Sequence, residues 1–93
     1  MTTTFFMDFT IADKFGVYAI KDTFRNGLKY AITDAEIYGQ FVKALNHKIW
    51  QHHERGNQYL VKVYDALWRK ADEDAYKYFT SEEDRRTYFE ITD

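Results

Sequence analysis

TDAEIYGQFVKALNHKIWQHHER, residues 33–55, is the stretch on which the fold turns. Thr33-Asp-Ala-Glu36 has the form of a capping box, in which the first hydroxyl accepts from an N–H of the opening turn and the glutamate reaches back. Ile37, Tyr38, Phe41, Val42, Leu45 and Ile49 then recur at three- and four-residue steps and form one apolar stripe. Lys43 and His47 lie opposite it, and Gly56-Asn57 ends the run. With Ile37 at zero and about 100° per residue, the stripe centres near 75°. Trp50 falls near 220°, among Lys43, Asn46, His47 and Glu54. A large ring on the polar side of a helix is either covered by another part of the chain or offered to another molecule. For the first case the candidates are Phe5, Phe6, Tyr88 and Phe89. In the second case Trp50, Lys43, His47 and Glu54 make an aromatic anchor in a polar rim, the usual composition of an interface hot spot.

Downstream, Asn57 can cap a second long helix over 58–79, with Leu60, Tyr64, Leu67, Trp68, Ala71, Ala75 and Tyr78 on one side. Asp65–Arg69 and Glu73–Lys77 are acid-before-base pairs at the spacing that supports a helix. So short a connection makes 33–55 and 58–79 antiparallel neighbours. Thr80-Ser81-Glu-Glu-Asp84 reads as a further cap, followed by a short helix to about Phe89 that presents Tyr88 and Phe89 to the hairpin, and by a tail at 91–93.

Upstream, Asp8 can cap a short helix over Phe9–Phe15 that stops at Gly16, with Phe5, Phe6 and Phe9 plugging a groove. Residues 17–32 read two ways. Val17, Ile20, Phe24, Leu28 and Ala31 keep helical spacing and leave Lys21, Asp22, Arg25 and Lys29 outside. Near-alternation on either side of Asn26-Gly27 would instead suit a β-hairpin. The helix is favoured, because the hairpin places Asp22 among the apolar positions. The expected fold is all-α: a single domain, 1–93, forming a compact bundle of four to five helices around the antiparallel hairpin. An α+β fold with a hairpin at 17–32 is the alternative.

Ninety-three residues allow one core, burying roughly 60–65% of the unfolded surface. Eighteen aromatic rings are enough to fill it and leave some for an interface. Net charge is −2 but polarised: residues 14–71 carry +5 and residues 72–93 carry −5. Such polarity suits steering toward a charged partner. Asp72, Glu73, Asp74, Glu82, Glu83 and Asp84, with Tyr76 among them, could therefore engage a basic groove on another protein. Lys43, His47, Lys48, Arg55, Lys62, Arg69 and Lys70 form the opposing case for nucleic acid, which the acidic pI near 5.9 disfavours.

Chemistry finds little support. Cysteine is absent, which removes disulfides and thiolate catalysis. Ser81, the one serine, suits a cap, and the four glycines are isolated rather than gathered in a phosphate loop. His47, His52 and His53 lack the three- or four-residue spacing that aims two imidazoles at one ion. They read as partly exposed polar residues near a helix end. The expectation is a non-enzymatic protein without cofactor or metal. Without a signal-like start or a long apolar run it would be soluble and cytoplasmic, with no membrane role.

FTIADKFGVYAIKDTF (9–24) and LNHKIWQHHE (45–54) resemble stretches of small helical proteins, mostly uncharacterised, carried by phages and mobile elements. The resemblance implies a helical fold and a phage-side role in the host cytoplasm. Small acidic, aromatic-rich proteins of that kind often bind a host or defence protein stoichiometrically, as anti-CRISPR proteins do. The functional expectation is a protein-binding module or inhibitor of this type. A nucleic-acid-associated accessory protein and a self-associating homodimer are the alternatives.

Overall fold

The computed structural model describes residues 9–93, and all of the regular structure among them is helical. Five helices follow in order: α1 (Thr10–Phe15), α2 (Val17–Ala31), α3 (Ala35–Glu54), α4 (Gln58–Tyr78) and α5 (Glu82–Thr92). The all-α bundle is thus the fold, built on the α3–α4 hairpin. Asp8, Phe5 and Phe6, given a cap and a plug by sequence, lie outside the described residues.

Residues 17–32 are helix rather than hairpin. Ile20, Phe24 and Ala31 are buried, while Lys21, Asp22, Arg25 and Lys29 stay exposed. Asn26-Gly27 sits inside α2, with Gly27 buried. Burial of that apolar stripe against α3, with Phe24 and Phe41 rings 5.4 Å apart, outweighs the cost of placing Gly27 inside a helix, about 1 kcal/mol. Gly16 joins α1 to α2 at φ 96°, a conformation that L side chains rarely adopt.

The cap of α3 differs from the expected box. Asp34, not Thr33, is the N-cap, and its Oδ1 accepts from the Glu36 N–H at 2.7 Å. The Thr33 hydroxyl donates to the Tyr30 carbonyl and closes the end of α2. A carboxylate in β-region backbone satisfies the first-turn donors and the positive helix end together, which a hydroxyl one residue earlier cannot. Asn57 caps α4 and Ser81 caps α5 as expected.

The core is aromatic at one end and polar at the other. Tyr38, fully buried, meets Phe41, Tyr78, Phe79 and Tyr88, and its hydroxyl donates to the Ala71 carbonyl at 2.6 Å. The last helix is longer than expected and runs through Ile91, which is no tail: it packs where a Cβ on Gly39 would come within 3.0 Å of it. The absence of a side chain at Gly39 is what lets α5 lie so close on α3. Of the two expected pairs on α4, Asp65–Arg69 forms at 2.9 Å, but Lys77 turns to Asp74 at 3.4 Å, not to Glu73.

Candidate functional site

The helical phase that buries Phe41 and Leu45 also turns Lys48 and His52 inward, leaving them 7% and 3% exposed. Buried charge is costly unless it is paired and hydrogen-bonded. Asp13, from the middle of α1, supplies the partner. Its Oδ2 lies 2.7 Å from Lys48 Nζ and 3.0 Å from His52 Nε2, and its Oδ1 accepts from the Tyr64 hydroxyl. Lys48 donates further to Gln51 Oε1 at 2.7 Å and sits 5.9 Å from the centre of the Tyr64 ring. His52 stacks on that ring at 5.5 Å, and Phe9 meets it edge-on. Burial first, and then the hydrogen bond to Asp13 and its charge, push the Tyr64 phenol far above its ordinary range. Tyr64 therefore stays a neutral donor.

One atom of this cluster is left over. His52 Nδ1 is buried and has no hydrogen-bond partner among the described residues. The residue also helps to line a cleft of about 330 Å3, together with Thr10, Asp13 and Lys14 of α1, Arg55 at the end of α3, Asn57 of the turn and Leu60 of α4.

The cluster was not expected as such. His52 is a buried hydrogen-bonding group, not a partly exposed one, because α1 folds over it; His47 and His53 are exposed. The helical wheel did carry a signal. Lys48 at about 20° and His52 at about 60° fall inside the apolar stripe, where two polar residues four apart need a buried partner.

The Trp50 face lies on the other side of α3. Lys43, His47, Trp50 and Glu54 are all exposed there, Trp50 at 60%. The Trp50 ring meets the edge of the His53 ring at 5.9 Å. Cover from the C-terminal aromatics does not occur: Tyr88 is buried against Tyr38, and Phe89, itself half exposed, lies against Tyr76. Phe5 and Phe6 lie outside the described residues. Gly39 shares this side of α3 one to three turns earlier, so α5 covers the stripe at Gly39 and leaves it open from Lys43 onward.

The acidic residues divide between local duties and open surface. Asp72 accepts from the Tyr88 hydroxyl at 2.5 Å, and Asp74 is bracketed by Lys70 and Lys77. The Tyr76 ring lies under the Arg85 guanidinium at 5.7 Å. Glu73, Glu82, Glu83 and Asp84 are exposed, the last three in the first turn of α5. Glu82 is loosely joined to Arg86 at 3.5 Å. Asp72 and Tyr76 thus help tie α4 to α5, Asp74 is paired within α4, and the free acidic surface is smaller than the sequence implies.

Among the described residues no helix is long and apolar enough to cross a membrane. No family model, curated protein or solved structure matches the chain.

Proposed function

We propose that this chain is a non-enzymatic protein-binding module that docks through the α3 face centred on Trp50. The observation that carries the reading is the 60% exposure of a tryptophan on a helix whose opposite side is core. Leaving so large a ring in water forgoes burial worth about 2 kcal/mol, and partner contact would recover it. Lys43, His47 and Glu54 around it supply both charge signs for a rim that orients the partner.

The occupant we assign is a foreign protein with an apolar socket, bound one to one. The exposed acids at the start of α5 add a second patch for basic groups on it. The resemblance of residues 9–24 and 45–54 to phage-carried proteins supports a host or defence protein as that target, with the module acting as an inhibitor of the anti-CRISPR type. Capture from a host lysate tests this, comparing wild type with Trp50→Ala and with or without nuclease. A protein held by wild type, lost in the variant and indifferent to nuclease is the expected result. Recovery of nucleic acid, or a concentration-dependent dimer in sedimentation that Trp50→Ala abolishes, would replace the reading.

A further inference from the structure

The place where α5 meets α3 begins a regular line of residues along α3. At Gly39 the two helices lie so close that an added Cβ would meet Ile91 at 3.0 Å. From there α3 returns to the same side at Lys43, Asn46, Trp50 and His53, in steps of four, three, four and three. At about 100° per residue, these five positions stay within roughly 40° of one direction. Alternating steps of four and three make the seam along which one helix packs on another. Only its first position is taken by α5. Lys43, Trp50 and His53 are exposed, and Asn46 is half-buried.

The open part of the seam fits one kind of occupant. It runs from Lys43 to Glu54, about 17 Å at the α-helical rise. The helix on the covered part, α5, has 11 residues and is about 16 Å long. Backbone donors and acceptors in the middle of α3 are spent within the helix, so an extended segment finds no edge to pair with. Charge sets the rest. Lys43 and Glu54 stand at the two ends, and neither is in an ion pair among the described residues. Resting on the reading of Trp50 as the docking face, we infer that the partner presents an amphipathic helix of about three turns, seated parallel to α3 on this seam. Its apolar side chains close on Trp50, an acid near its N-terminus meets Lys43, and a base three turns later meets Glu54. Acid first and base last also suits that helix's own dipole, which the antiparallel order would oppose.

Three synthetic peptides of about fifteen residues make the test. The first is held helical by lactam bridges and carries Glu at its second position, Leu at the sixth and ninth, and Arg at the thirteenth. The second exchanges the Glu and the Arg. The third is the first without bridges and with Pro at its centre, which breaks a helix. Each is titrated into the whole chain, and the backbone amide resonances of residues 43–54 are followed. The first peptide should saturate. The second should bind about tenfold more weakly, since both of its ends meet like charge, and the third should give no saturable shift. Lys43→Glu with Glu54→Lys should invert the preference between the first two without changing the melting temperature, both side chains being exposed. Trp50→Ala should lose the response to all three. No saturable response to a bridged peptide, equal binding of the two bridged peptides, or a proline peptide as good as the first would overturn the inference. A host protein captured by wild type and lost in Trp50→Ala, with no peptide bound, would remove the helix alone and leave the docking face. Capture unchanged in Trp50→Ala would remove both.

Discussion

Lys48 Nζ lies 2.7 Å from Asp13 Oδ2, and through this pair a helix of six residues is fastened to the end of the long hairpin. Both side chains are largely buried, at 8% and 13% exposure. The pair sets α1 over α3 and α4, closes one wall of the cleft and orients His52.

Asp13→Ala is expected to cost about 3–5 kcal/mol in urea unfolding, because it strands a buried ammonium along with two further donors. Asp13→Leu with Lys48→Met should recover much of that loss, since no unpaired charge is then buried. A loss below about 1 kcal/mol in the single variant would show that the cluster does not hold α1.

Tyr38, Tyr64 and Tyr88 govern the alkaline limit. Burial is the largest cause raising each phenol, aided by Asp13 at Tyr64 and by Asp72 at Tyr88. A phenol raised in the folded state contributes stability fully below the unfolded value near 10, and that contribution fades as pH climbs beyond it. Absorbance titration should thus withhold the signal of three of the eight tyrosines until the fold opens. Ionisation of all eight with the helical circular dichroism intact would contradict the packing around Tyr38.

Gly39→Ala tests the fit of α5. The new Cβ would stand 3.0 Å from Ile91 Cβ and Cγ2. The Ile91 Cβ is fixed to the backbone, so Ile91 must give by a few tenths of an ångström. We expect a net loss of about 1 kcal/mol, the overpacking cost exceeding the gain in helix propensity. Adding Ile91→Ala should make the Gly39→Ala change neutral or stabilising, as a double-mutant cycle by chemical denaturation would record.

Asp34→Ala should lower stability by about 1 kcal/mol through loss of the α3 cap, whereas Thr33→Ala should cost less. Thermal melts of the two variants distinguish this arrangement from a cap at Thr33.

Local pattern made the helices legible. Stripes in α2, α3 and α4 and the turn at Gly56-Asn57 give the hairpin directly, and even Asn26-Gly27 yields to the stripe around it. Contacts between distant positions were not legible in the same way. Lys48 and His52 could be marked as polar residues on a buried side, but their partner lies 35 and 39 residues away on a helix of six. Spacing within a segment cannot pair them. The Trp50 question was similar: its exposure depends on which part of α3 is covered by α5, and the Gly39–Ile91 contact fixes that. For the acidic end, counting charges overstated the free surface, because Asp72 and Asp74 are engaged by Tyr88, Lys70 and Lys77.

The most direct test of the proposed role joins two readings of Trp50→Ala: its melting curve and its capture of protein from a host lysate. At 60% exposure the side chain contributes little to the core, so folding stability should change by no more than about 0.5 kcal/mol, while the captured protein is lost. A variant that still captures the same protein, or one destabilised by about 2 kcal/mol or more, would contradict the account and make Trp50 a residue of the fold rather than of an interface.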